Sequence, residues 1–143
     1  MTVRLFAMTC GWMTMPMTNF LRGEPGELRL PVPAFLIDHP KGQVLFDSGL
    51  HTDLFDPKDK HAENITKYCK PEFRPGEELG ARLERLDVDV TKIRHLVNSH
   101  LHFDHVGGNN QVPNAQLVIQ KREWEAGQEP DLMKANGFAK SDY

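Results

Sequence analysis

Cysteine is scarce in this chain. The two present, Cys10 and Cys69, lie far apart and form no C-x-x-C pair, which excludes a disulfide framework and leaves two free thiols. An excess of basic charge is also lacking. Seventeen Lys and Arg stand against twenty Asp and Glu, for a formal net charge of -3 and a pI near 6.1. No basic face of the kind that tracks a phosphate backbone is evident, so nucleic acid is excluded as the main partner. Long apolar runs are missing as well, so nothing spans a bilayer and no membrane partner is implied. Residues 1–8 carry one Arg and a short apolar stretch broken by Thr, too short and too polar for a secretory leader. A soluble, cytoplasmic protein is the resulting expectation. Internal repeats and low-complexity tracts are absent too. What remains is globular: 39% hydrophobic and 26% charged residues over 143 positions provide a core for one domain, residues 1–143.

Residues 3–8 predict a first strand. Residues 10–22 show no regular pattern, with Met13, Met15 and Met17 at alternate positions. Residues 28–37 are extended, but Pro31 and Pro33 put the first half of that stretch at an edge or outside the ladder. Phe35-Leu36-Ile37 and Val44-Leu45-Phe46 flank a polar Pro/Gly loop, the pattern of a β-hairpin, and Asp47-Ser48-Gly49 ends its second strand. Residues 51–76 are polar and aperiodic, a long surface excursion, with the Lys/Asp run at 56–60 as a solvated face. Leu79, Leu83 and Leu86 share one face of a helix over 77–86, with Glu78 spaced to pair with Arg82. Asp89 caps a turn ending at Ile93, a short strand follows over 94–98, another over 115–120, and a helix over 121–126 closes at Gly127. Trp12 and Trp124 are assigned as core anchors. Antiparallel strands followed by α and β units indicate a layered α/β sandwich.

Four of the seven histidines fall between positions 95 and 105. The order His100-Leu101-His102-Phe103-Asp104-His105, with Gly107-Gly108 just beyond, directly follows a predicted strand. Side chains at i and i+2 of an extended segment project to the same side, so His100 and His102 can grip one ion. After the chain turns, Asp104 and His105 can face a second. Imidazole nitrogen and carboxylate oxygen suit Zn²⁺ first, with Mn²⁺, Fe²⁺ or Co²⁺ as alternatives. Three histidines and an aspartate within six residues would be costly as core and a coincidence as surface.

At this motif, H-x-H-x-D-H, the sequence resembles the metallo-β-lactamase superfamily, and Phe46-Asp47-Ser48-Gly49 resembles that superfamily's strand-ending acidic turn. Within the superfamily it is most similar to N-acyl homoserine lactonases, through Leu30-Pro31-Val32-Pro33 and the hairpin after it, the run from Ser99 to Asn109, and Val118-Ile119-Gln120-Lys121-Arg122. The resemblance implies a four-layer αββα sandwich, of which these residues are about the first half. It implies two divalent metal ions, zinc first, held in part by His100, His102, Asp104 and His105, with Asp47 supporting the site from behind the ligands. It implies attack of a metal-bridging hydroxide on the carbonyl of a small acyl lactone, and hence interruption of quorum signalling. Asp104 is expected to be chiefly a ligand and secondarily a proton carrier. Phe103, Met15 and Met17 are candidate substrate-pocket residues, each with core packing as the plainer role. The family's remaining ligands and its substrate-side tyrosine have no match here, and Tyr143 is not that tyrosine. The chain is therefore expected to be a fragment, weak in metal binding and inactive alone, with an open apolar sheet face. Rival readings are a glyoxalase-II-type thioesterase, another hydrolase of this scaffold, or an inactive remnant.

Overall fold

A computed structural model describes residues 2–143. Six strands form one mixed sheet in the order β4-β1-β2-β3-β5-β6. The long strands β1 (Arg4–Pro16) and β2 (Glu27–His39) run antiparallel along most of their length, and β3 (Gly42–Phe46) adds to the second half of β2. Strand β4 (Lys70–Glu72) pairs antiparallel with the far end of β1. Strands β5 (His95–Val97) and β6 (Gln116–Val118) then add in parallel to β3.

The stretch after Cys10, expected to be irregular, is the second half of β1. Its ladder shifts register between Thr9 and Trp12, and Gly11, at φ +100°, takes the kink there. A bulge breaks the simple period of two, which is why the alternation was hard to see from sequence. A 3-10 turn, Met17–Asn19, follows. Pro31 and Pro33 lie within β2, where they pair only with β1, because β3 begins opposite His39 and ends opposite Phe35. That half of β2 has an open side, so the missing N–H groups interrupt no ladder.

Residues 51–76 are more than a surface excursion. They hold a 3-10 turn (Thr52–Phe55), helix α1 (Lys60–Ile65) and β4, and they bury Ala62, Ile65 and Cys69. Asp59 caps α1, accepting from His61 N at 2.7 Å. Helix α2 (Leu79–Glu84) presents Leu79 and Leu83 to one face of the sheet, against Met8, Cys10, Ala34, Leu36, Leu45 and Leu96. Its Arg82 reaches Glu77 at 3.8 Å rather than the expected Glu78, which stands at the N-cap position with its carboxylate turned back to accept from Gly76 N. A turn sends Glu77 alongside Arg82, an arrangement that helical spacing could not reveal. On the opposite face, Leu5, Phe46 and Val118 stay exposed.

Helix α3 (Phe103–Val106) follows β5 directly, and α4 (Lys121–Ala126) and α5 (Pro130–Asn136) complete the chain with a 3-10 turn (Lys140–Asp142). Trp124 is not a core anchor: it is 42% exposed and packs edge-on against Tyr143, whose hydroxyl donates to Gly127 O. Trp12 is half-buried beneath the Arg29 guanidinium, 4.0 Å away. Among the described residues no helix is long and apolar enough to cross a membrane.

Candidate metal centre

Two chain segments meet at the C-terminal ends of the parallel strands β3 and β5. One is Asp47-Ser48-Gly49, leaving β3. The other is the run from Asn98 through α3. The backbone of Asp47 donates to Val97 O and that of Ser48 to His105 O, each at 2.8 Å. Ser48 Oγ donates to Asn109 Oδ1 at 2.8 Å, while Asn98 Nδ2 donates to His105 O at 3.2 Å and Asn109 Nδ2 to Asn98 Oδ1 at 2.9 Å. The segments touch so closely that side chains are excluded. A Cβ on Gly107 would lie 2.3 Å from His51 N, and one on Gly108 would lie 2.3 Å from Ser48 O. The two glycines after the signature are thus required by close approach, and not by a positive φ.

Asp47 is the centre of this junction. It is buried and holds φ at +57°, a conformation Asp tolerates better than most residues. Its Oδ1 accepts from Ser99 N, and its Oδ2 from Ser99 Oγ and from His105 Nδ1, all at 2.8 Å. Ser99 Oγ lies 2.9 Å from His100 Nδ1, and His102 Nε2 lies 2.9 Å from the carbonyl of Asn136, an obligate acceptor. Each imidazole therefore has one nitrogen engaged by a neighbour. The nitrogens with no partner outside the signature are Nε2 of His100, Nδ1 of His102 and Nε2 of His105, the last of which faces Asp104. The rings stand close together, with centroids 4.0 Å apart for His100 and His105 and 4.7 Å apart for His100 and His102. Asp104 is nearly buried, with Oδ2 at 3.3 Å from His105 Nε2. Three imidazoles oriented by outer partners and one carboxylate form a donor set that fits divalent cations.

The charges follow from this packing. Burial works to lower the His105 pKa, but the hydrogen bonds and charges of Asp104 and Asp47 more than offset it and push it up to about 9. Burial opposes ionisation of Asp104, yet the His105 hydrogen bond and charge hold its carboxyl below the usual range. His100 is shifted down, by burial and then by the neighbouring imidazoles of His105 and His102. Without a cation, His105 is thus the protonated bridge between two carboxylates.

The signature residues form one wall of a cavity of about 720 Å³ that is otherwise lined mainly by Met13, Met15, Pro16, Phe20, Tyr68, Phe103 and the end of α5. Met15 and Phe103 are among the lining residues. Both also pack against the second core cluster, around Val32 and Leu50. Met17 is not in the lining: β1 continues to Pro16 and the chain then turns, so Met13 takes its place. Ser99 and Glu123 were not singled out from sequence. Glu123 accepts from Leu101 N at 2.9 Å and so helps hold the loop between His100 and His102. A second cluster was also missed. His51, Asp53 and His61 each offer a donor atom within 4.8 Å of the others'. Their signal was thin: one His-x-Asp pair and a histidine eight positions later. Burial pushes the adjoining Asp142 carboxyl up to about 6, against the pull of His61.

The family model of the metallo-beta-lactamase superfamily matches residues 28–131. The N-acyl homoserine lactonase AttM of Azorhizobium caulinodans is 30% identical over 143 residues, covering 99% of this chain and 54% of the relative. A solved N-acyl homoserine lactone hydrolase, with N-hexanoyl-L-homoserine bound at its catalytic metal centre, superposes with a TM-score of 0.82 at 24% identity, covering 99% of this chain and 56% of its own. A quorum-quenching N-acyl homoserine lactone lactonase gives a TM-score of 0.78 at 26% identity, covering 99% and 54%. The chain thus spans about half the length of the curated relatives it matches, and its sheet and helices make up about half of their four-layer αββα sandwich. On the match of family model and fold together, the chain belongs to the metallo-β-lactamase superfamily.

Proposed function

We propose that this chain supplies the signature-bearing half of a metal-dependent hydrolase that opens the lactone ring of N-acyl homoserine lactones, giving N-acyl homoserines. The observation that carries this reading is the shared wall of one cavity, where His100, His102, Asp104 and His105 meet Met13, Met15 and Phe103. Cation donors beside a flexible apolar slot suit a substrate with a polar ring and a hydrocarbon tail. The relatives' lactonase activity points the same way.

Bound at these residues, two divalent cations, zinc first, would supply hydroxide near neutral pH and polarise the lactone carbonyl. The chain's own groups set the stage. Asp47 fixes the His105 ring with Nε2 toward the cavity, Ser99 does the same for His100, and the Asn136 carbonyl turns Nδ1 of His102 inward. Asp104 is chiefly a donor, and it is also the carboxylate beside the cavity able to take up a proton. Met13 and Met15 receive the acyl chain, with Phe103 at its border. Four donors shared between two ions make two each, fewer than the three usual for catalytic zinc. These residues therefore account for part of a dinuclear site, and alone they are expected to bind metal weakly and turn over little.

The test is ring opening followed by proton release in a pH-indicator assay, on zinc-loaded protein that includes the remaining donors. An acyl homoserine lactone and a glutathione thioester are compared. Lactone turnover that is lost with His102→Ala supports the proposal. Thioester turnover without lactone opening moves the function to a glyoxalase-II-type thioesterase, and stoichiometric metal with neither activity rejects the hydrolase reading.

A further inference from the structure

We propose that His51, Asp53 and His61 form a second metal site, separate from the signature, that takes one divalent ion of the zinc class and clasps the C-terminal turn to the body of the fold. The donor atoms already stand at the spacing a metal needs. Asp53 Oδ2 lies 3.1 Å from His51 Nδ1 and 3.6 Å from His61 Nδ1. Donors at about 2.0–2.1 Å in a tetrahedron are about 3.3 Å apart, between those two values. Two imidazoles and a carboxylate, with a fourth position open, are a zinc-like donor set.

Electrostatics favours a cation over a plain hydrogen-bonded cluster. His51 Nδ1 lies 3.1 Å from both Asp53 N and the Asp53 carboxylate, while Asn110 Nδ2 lies 3.1 Å from its Nε2. Ligation through Nδ1 would replace the Asp53 N–H at that nitrogen's single lone pair. The His61 side chain is 90% buried and that of Asp142 fully so, yet neither His61 nitrogen nor either Asp142 oxygen has a hydrogen-bond partner. Asp142 Oδ1 nevertheless stands 3.0 Å from His61 Nε2. A small rotation of the ring gives the arrangement common in metal sites, in which a carboxylate holds one ring nitrogen and the other ligates. Asp142 is then a positioning residue and not a ligand.

The location separates this site from the signature. Tyr68, Phe103 and Gly137 line both the large cavity and a smaller one of about 280 Å³, and His61 and Asp142 line the smaller one only. The metal would join the 3-10 turn after His51, helix α1 and, through Asp142, the turn at 140–142.

The test does not depend on lactonase activity. Zinc is titrated into the chain carrying His100→Ala and His102→Ala, which disables the signature, and ¹⁵N shifts of the ring nitrogens of His51 and His61 are followed by NMR. One zinc per chain is expected, with both rings shifting together. Asp53→Asn should abolish that equivalent, and Asp142→Asn should weaken it about tenfold to a hundredfold while keeping the stoichiometry. The same ring signals are read in the wild-type chain, so misfolding of a variant does not decide the outcome. Unmoved His51 and His61 signals at saturating zinc in the wild type, or an Asp53→Asn chain that still binds its equivalent, would overturn the proposal.

Discussion

Asp47→Asn isolates the role of the residue on which the signature rests. Asparagine keeps the shape and tolerates the φ of +57°, so the backbone is unstrained. Oδ1 still accepts from Ser99 N, but the group in place of Oδ2 becomes a donor. Ser99 Oγ can rotate to accept from it. His105 Nδ1 can accept only by giving up its hydrogen, which moves to Nε2, the nitrogen required for ligation. Loss of such an outer partner costs about 10–100-fold in metal affinity, or about 1.4–2.7 kcal/mol. Stability falls less, because one charge-assisted bond of about 1.5–3 kcal/mol becomes a neutral one of about 1 kcal/mol. A difference of about 1 kcal/mol lowers Tm by about 2–4 °C for a chain of this size. Asp47→Ala leaves three donors unpaired and should cost about 3–5 kcal/mol. Metal affinity is read by competition with a chromophoric chelator, and stability by thermal melting. An Asp47→Asn chain that melts a few degrees lower but binds metal within twofold of wild type would refute the tautomer argument and leave Asp47 a packing residue.

The raised His105 pKa gives two pH dependences of opposite sign. Metal must displace the proton His105 holds up to about pH 9, so apparent zinc affinity at the signature should climb ~tenfold per pH unit between ~6.5 and 8.5 and then level off, as read by titration across a pH series. The same proton stabilises the metal-free fold fully below the unfolded pKa of ~6.5, and that contribution is lost as pH rises through about 9, so melting temperature without metal should fall over the same window. Gly108→Ala forces a Cβ onto the Ser48 carbonyl and should cost about 1–3 kcal/mol or more in urea denaturation, against a near-neutral Leu5→Ala on the open sheet face. Leu36→Ala, fully buried beneath α2, should cost about 2–5 kcal/mol in the same assay.

The contrast between the two histidine clusters shows what a sequence can reveal about a site. His100, His102, Asp104 and His105 are legible because the chain itself brings them together: the short link after β5 sets the His100 and His102 rings 4.7 Å apart, and one helical turn delivers the other two. Asp47 is legible for a related reason, since a strand-ending Asp-x-Gly announces a turn even before its contacts are known. The hairpin and the apolar face of α2 come from period and turn chemistry in the same way. His51, Asp53, His61 and Asp142 meet only through tertiary packing, between positions 51 and 142, and the polar composition of residues 51–76 hides the burial of Ala62, Ile65 and Cys69 that folds them inward. The bulge in β1 hides its strand by the same logic, because pairing with β2 sets the conformation and the local pattern does not. Local sequence thus identifies candidate donors the chain delivers within one turn. Sites assembled at long range become visible only when the structure shows buried polar atoms left without partners, as at His61 and Asp142.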